Sequence, residues 1–268
     1  MVFFIYNYVS SDTPPAPPPP TPEHVNTENP SPQNDEEIPE NTESPSVTTT
    51  PEPTTSPVSM TKAVTTPPPL SDPSSAYVPG TYDESFFAND LFIGDSIMTG
   101  IYLYGFIPAE NVYAKVGINP SSASDTEING LTALSKATQM KPARIYVMLG
   151  SNGISFLSGS DMVTHMEGFM EELAKAAPNS QIILLTIPPV TAEYEQSHPE
   201  TIQNVNDYNY MLKTSALRNN YFIIDSAATL KDSEGYLAAE YAEADGLHFK
   251  SSAYKAMLSL IQYTVQNS

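Results

Sequence analysis

The chain has 268 residues, 16% of them charged, with 31 acids against 11 lysines and arginines and a formal net charge of −20. An isoelectric point near 4.3 and the lack of any basic cluster exclude electrostatically driven binding to nucleic acid or anionic lipid, because phosphate neutralisation needs Lys and Arg on one face. The absence of cysteine removes disulfides, thiol catalysis and cysteine-based zinc sites together.

Proline divides the chain, with 19 of its 26 prolines before residue 80. Residues 1–10 contain the apolar run Val2–Tyr6, too short for a membrane span of about 20 residues and with no basic stretch ahead of it. This segment reads as the remnant of a signal or anchor helix, or else as an incidental apolar terminus. Residues 11–76 are rich in Pro, Thr, Ser and Glu and show no apolar period of 2 or 3.6. A disordered, hydrated linker with polyproline II character is expected there. Such stretches serve as stalks between a membrane or cell wall and an outer domain, which points to an extracellular or cell-surface setting; a tail with no spacing role is the other reading. Residues 77–268 are long enough to fold as one domain with its own core.

Within that domain five short apolar runs stand out in chain order. Leu91–Ile93 ends at Gly94, Val112–Val116 at Gly117, Arg144–Leu149 at Gly150, Gln181–Ile187 at Pro188-Pro189, and Tyr221–Ile224 at Asp225. Runs this short and unbroken suit parallel strands covered on both faces. Between them lie helical stripes. Met162, Met166, Phe169, Met170 and Leu173 mark a helix near 160–176, and Ile202, Val205, Tyr208, Leu212 and Leu217 mark another over 200–218. Tyr254, Met257, Leu258, Ile261 and Val265 mark the last. The Met and Tyr residues of these stripes are expected in the core. Alternating strands and helices imply a parallel sheet with helices on both faces, and reactive groups gather beyond the carboxyl ends of such strands.

Four groups sit at those ends. The first strand runs into Gly94-Asp95-Ser96 and a helical stretch, which puts the Ser96 hydroxyl on the rim and its N–H among the free donors of a helix start. Gly117 follows the second strand, and without a side chain its N–H can approach a ligand closely. Gly150-Ser151-Asn152-Gly153 follows the third and offers a side-chain amide. Asp245-Gly246-Leu247-His248 sets a carboxylate three residues before an imidazole, just ahead of the last helix. Each group alone has a plain structural reading as a turn former, strand terminator or surface residue.

In this order and spacing the four blocks resemble those of the SGNH hydrolases, also called GDSL esterases and lipases, over about residues 88–265. The resemblance implies a flavodoxin-like three-layer α/β/α sandwich with about five parallel strands. It also implies a Ser96 nucleophile, His248 as general base and Asp245 orienting that His, with Ser96 N–H, Gly117 N–H and the Asn152 side chain as oxyanion donors. The third block departs from the family's usual G-x-N-D, since Gly153 replaces the Asp. A nucleophile elbow of the G-x-S-x-G kind is excluded, because Ser96 is followed by Ile97-Met98. The sequence also lacks HExxH, P-loop and GxGxxG motifs.

The function expected is hydrolysis of short acyl esters, acetyl above all, on small molecules or carbohydrates. Acyl transfer to cell-wall glycan by the same residues and a non-catalytic surface module are the alternatives. Attachment to cell wall or membrane would run through the N-terminal segment, and no nucleic-acid partner is expected. Tyr102, Tyr104 and Phe106 either line a sugar site or pack inward. His24, His165 and His198 read as structural or solvated. No cofactor and no metal are implied, since activated serine chemistry needs neither.

Overall fold

Strands form where the sequence runs apolar, and their order decides where the chain is open to a ligand. The computed structural model describes residues 82–268, so the expectations for residues 1–10 and 11–76, and for the first few residues of the 77–268 domain, lie outside it. In chain order, β1 (Asp90–Gly94) leads through α1 (Ser96–Leu103) to β2 (Val112–Ala114). A small hairpin of β3 (Glu127–Ile128) and β4 (Leu131–Thr132) and helix α2 (Ala133–Met140) then lead to β5 (Arg144–Met148). Next come α3 (Gly159–Ala176), β6 (Gln181–Leu185), the short α4 (Ala192–Ser197), α5 (Thr201–Arg218), β7 (Phe222–Ile224) and α6 (Ser251–Gln266).

Five strands make one parallel sheet in the order β2-β1-β5-β6-β7, and β3 and β4 pair separately. Helices α1 and α6 pack on each other, while α3 lies between α2 and α5. The result is a three-layer α/β/α sandwich of flavodoxin-like order. At β1 the chain first goes to one side, to β2, and then returns past β1 to β5. Crossovers that diverge in this way leave a crevice above the carboxyl ends of β1 and β5.

Every residue of β1 is buried, as a strand covered by helices on both faces requires. The Phe92 ring stacks on Tyr146 of β5 with centroids 4.7 Å apart. At the amino end of the sheet the buried Asp90 carboxylate meets the Arg144 guanidinium at 2.9 Å, and that guanidinium lies 3.9 Å over the Phe86 ring. The Met and aromatic stripes of α3, α5 and α6 face the core, with Met162, Met166, Met170, Tyr208 and Tyr254 all buried.

Several expectations need correction. β2 stops at Ala114 rather than Val116, because its partner β1 ends at Gly94, the residue in register with Ala114; Val116 is 73% exposed. β6 likewise stops at Leu185, which is paired with Ile224, the last residue of β7. Leu217 leaves the α5 stripe and is exposed, while Ser215 and Ala216 are the buried residues at that level. Five residues separate Leu217 from Leu212, which turns it well off their common face at 100° per residue.

Helices α1 and α6 cross so closely that a Cβ on Gly100 would lie 2.0 Å from the Tyr254 hydroxyl. That hydroxyl donates to the Ile97 carbonyl at 2.6 Å. Gly100→Ala should push the tyrosine off its acceptor and destabilise the domain by about 1–3 kcal/mol through overpacking and a lost buried hydrogen bond. Chemical denaturation measures this, and an unchanged midpoint would contradict the close crossing.

Candidate active site

Ser96 is the first residue of α1, and two neighbours fix its position. Gly94 lets the turn fold tightly, since a Cβ there would lie 2.5 Å from Met98 Cβ and 2.9 Å from the Met148 carbonyl oxygen. Asp95 caps the helix, its Oδ1 accepting the Ile97 N–H at 3.0 Å. The Ser96 side chain stands on the partly exposed rim, with Oγ 3.1 Å from Nε2 of His248. The other ring nitrogen, Nδ1, lies 2.6 Å from Oδ2 of Asp245. With the ring proton on Nδ1 and donated to that carboxylate, Nε2 is left to accept from the Ser96 hydroxyl.

Asp245 and His248 share a loop that is pinned from several sides. Asp245 Oδ1 accepts the backbone N–H groups of Leu247 and His248, both at 2.9 Å. The Glu243 N–H donates to the His248 carbonyl at 2.8 Å. Gly246 adopts φ +73, and its carbonyl accepts from Thr191 N–H at 2.9 Å. A Cβ at Gly246 would sit 2.4 Å from Thr191 Oγ1, so glycine is needed both for the backbone angle and for the seat on Thr191. Thr191 is buried, and its hydroxyl also caps α4.

Burial raises the Asp245 carboxyl, but the backbone donors of His248 and Leu247 and the His248 ring outweigh it and hold the group below the usual carboxylate range. The pair remains open to water, with the His248 side chain 40% exposed and that of Asp245 52% exposed.

The remaining two positions reach the same rim. The loop after β2 is tied to β1 by Lys115 N–H donating to the Gly94 carbonyl at 3.3 Å. Gly117, exposed, has φ +86, a left-handed angle that suits glycine. Asn152 lies after β5 and donates through Nδ2 to the Ile118 carbonyl at 3.2 Å, which joins its turn to the Gly117 loop. An amide nitrogen carries two hydrogens, so one is left for a ligand. Gly153 is explained by packing, because a Cβ there would lie 2.6 Å from Met162 Sδ. The thioether occupies the space that an Asp side chain would need.

Tyr104 and Phe106 lean on the Tyr254 ring of α6, with centroids 5.6 and 6.1 Å away, and Tyr104 donates to Glu243 at 2.8 Å. They pack against the helix layer. His198 is exposed and stacks on Tyr194 at 4.1 Å. Both rings line a cleft of about 300 Å³ that reaches Ser151 and Leu247, the residues just before Asn152 and His248. Sequence reasoning gave no role to Asp95, Ser151 or Thr191. Only Asp95 carried a signal, as an Asp immediately ahead of a helix. Among the described residues, no group of three or more His, Cys, Asp and Glu could hold a metal ion, and no helix is long and apolar enough to cross a membrane.

Residues 92–256 match the GDSL-like Lipase/Acylhydrolase family. The chain belongs to that family. It is a carboxylic ester hydrolase of the SGNH/GDSL type, as the four blocks imply. Among curated proteins none matches the sequence. Solved structures are similar in fold. A candidate platelet activating factor from Streptococcus pneumonia is 24% identical, with a TM-score of 0.55 over 65% of this chain and 83% of that one. A GDSL-like lipase from Bacteroides thetaiotaomicron is 16% identical, with a TM-score of 0.52 over 72% and 93%. A candidate acylhydrolase from Bacteroides fragilis is 20% identical, with a TM-score of 0.52 over 70% and 91%.

The lowered Asp245 carboxyl makes a prediction about pH. A group whose folded pKa is depressed contributes stability above its unfolded value, about 3.9, and loses it only as pH falls through the folded value. Asp245→Asn should therefore be less stable than the parent at neutral pH, and the gap should close only below about pH 4. Melting curves of both proteins from pH 2 to 7 measure this; a gap that closes already between pH 5 and 7 would contradict the assigned direction.

Proposed function

We propose that Ser96, His248 and Asp245 act as a catalytic triad that hydrolyses short acyl esters, acetyl above all, on carbohydrates. The observation that carries this reading is the continuous chain from the Ser96 hydroxyl through both nitrogens of His248 to the Asp245 carboxylate. A serine hydroxyl is a weak nucleophile at its free pKa and needs a base to take its proton as it attacks.

The steps follow from the geometry. Ser96 Oγ adds to the acyl carbonyl carbon while His248 Nε2 takes the hydroxyl proton. Asp245 holds the ring in the correct tautomer and stabilises the imidazolium. Negative charge develops on the carbonyl oxygen, where Ser96 N–H, Gly117 N–H and the free Asn152 N–H donate. Collapse of the intermediate breaks the ester C–O bond, and the departing alcohol takes its proton from Nε2. Water then attacks the acyl-serine, His248 accepts its proton and returns it to Ser96 Oγ, and the carboxylic acid leaves. The exposure of His248 and Asp245 favours water over a sugar hydroxyl as the acceptor, because acyl transfer requires water to be kept out.

Two features support a short acyl group on a hydroxylated alcohol. The cleft that reaches Ser151 and Leu247 sets His198, Glu200, Thr201 and Asn204 beside the apolar Ile154, Val190, Val205 and Leu247, a mixed lining with donors and acceptors for sugar hydroxyls and an apolar side for a short acyl group. The Pro/Thr/Ser-rich sequence ahead of residue 77 is of the stalk kind that holds enzymes among polysaccharides, at the cell surface.

Ser96→Ala should lose nearly all hydrolysis of p-nitrophenyl acetate. Asn152→Ala should lose about 100- to 1000-fold in kcat, or roughly 3 kcal/mol of transition-state stabilisation. Across p-nitrophenyl esters of rising length, turnover should fall beyond the shortest acyl chains, and acetylated xylan should release acetate. Full activity in Ser96→Ala would overturn the triad; a preference for octanoate over acetate would overturn the substrate class.

A further inference from the structure

Two clefts flank the loop that carries Asp245 and His248, and one pair of rings lines both. The first, of about 300 Å³, reaches Ser151 and Leu247. The second, of about 780 Å³, reaches Asp245 and Gly246. Tyr194 of α4 and His198 just beyond it belong to both linings. Their rings stack at 4.1 Å with the planes 15° apart. Tyr194 sits directly against the loop, since a Cβ on Gly246 would lie 3.1 Å from its own Cβ.

The stack is held in place and open to solvent. Thr191 Oγ1 accepts the Tyr194 N–H at the start of α4. The Ser197 hydroxyl donates to the Tyr194 carbonyl at 2.9 Å, so at 3.0 Å from His198 Nδ1 it accepts the ring proton. That leaves Nε2 an acceptor on an exposed ring, with no partner among the described residues. Beyond His198, Glu200 takes φ +72, a left-handed angle that a residue with a side chain holds at a cost, and it makes no side-chain cap bond to α5. It lines the first cleft, and strain of this kind is kept where a site uses it. Together the two linings set four acids, Glu193, Glu200, Glu243 and Asp245, against one lysine, Lys250, whose ammonium donates to the Ala239 carbonyl.

We propose that the Tyr194–His198 stack is a platform for a neutral glycan, which lies on it and runs from one cleft into the other past the triad loop. This deepens the carbohydrate-ester reading given above and rests on it. A sugar ring has C–H faces that pack on an aromatic ring and hydroxyls at its edge that need partners. The exposed His198 ring meets the first need; its Nε2, Glu200 and Asn204 meet the second. An acetyl group fills a small part of either cleft, whereas a chain of sugars fills both. The four acids repel a polymer that carries carboxylates of its own, so the glycan taken is uncharged.

Kinetics on three substrates test the platform: an acetylated xylo-oligosaccharide, an acetylated oligogalacturonide as its anionic counterpart, and p-nitrophenyl acetate. His198→Ala should raise KM for the xylo-oligosaccharide about tenfold more than KM for p-nitrophenyl acetate, with the loss in KM rather than kcat. Tyr194→Ala should do the same, since alanine keeps the Cβ that meets Gly246. His198→Phe keeps a ring on Tyr194 and should stay within about threefold of the parent KM. For the parent, kcat/KM on the oligogalacturonide should be about tenfold lower than on the xylo-oligosaccharide, and the gap should narrow in about 1 M salt. Equal KM changes on xylo-oligosaccharide and p-nitrophenyl acetate in His198→Ala, a His198→Phe as impaired as His198→Ala, or equal use of both oligosaccharides by the parent would each overturn the proposal. The His198 variants decide the matter should Tyr194→Ala fail to fold. A parent that cleaves p-nitrophenyl acetate but releases no acetate from either oligosaccharide would remove the carbohydrate reading and the platform with it, whereas acetate release beside an unmoved KM in His198→Ala would sink the platform alone.

Discussion

Parallel pairing of β1 with β5, together with crossovers that leave β1 and β5 in opposite directions, governs everything at the site. Neighbouring strands lie about 4.8 Å apart. The turn after β1 and the turn after β5 are thereby held side by side by the backbone ladder, before any side chain acts. Ser96 comes from the first and Asn152 from the second. The same divergence of crossovers clears the space above them, so the pair faces a crevice.

His248 reaches that crevice by other means. It belongs to no strand or helix, and its place is set by a set of short-range bonds: two backbone donors on Asp245, a carbonyl contact to Glu243, and the seat of Gly246 on Thr191. Those bonds outweigh the partial burial of the Asp245 carboxyl, which would otherwise favour its neutral form. Oxygen Oδ1 is occupied by backbone donors, which leaves Oδ2 for the ring. An exposed imidazole–carboxylate pair on a pinned loop, beside a serine hydroxyl at a helix start, combines alignment with access for water, which suits the proposed hydrolysis.

The sequence carried the sheet and the four blocks because both are local signals. Unbroken apolar runs mark covered strands, and glycine, serine and Asp-x-x-His sit at strand ends whatever the rest of the chain does. Strand lengths were harder to read. Val116 looks like strand, but β1 offers it no partner, and pairing is a property of two segments at once. The small β3–β4 hairpin is too short to show a period, although Asn129-Gly130, with φ of 52 and 76, is a strong turn signal. Leu217 was misplaced by a spacing of five. Thr191 gave no sign, since its importance comes from the Gly246 turn that folds against it. Gly153 was a departure from pattern in the sequence and is a packing pair with Met162 in the fold.

In the proposed mechanism one particular hydroxyl, that of Ser96, becomes the acyl carrier. Treating the folded protein with diethyl p-nitrophenyl phosphate and mapping the adduct by peptide mass spectrometry tests it most directly. A single diethylphosphoryl group on Ser96 is expected, with stoichiometric release of p-nitrophenol and no modification when His248 is replaced by Ala. Labelling of Ser151 or another serine in place of Ser96, or no labelling of a folded and active enzyme, would contradict it.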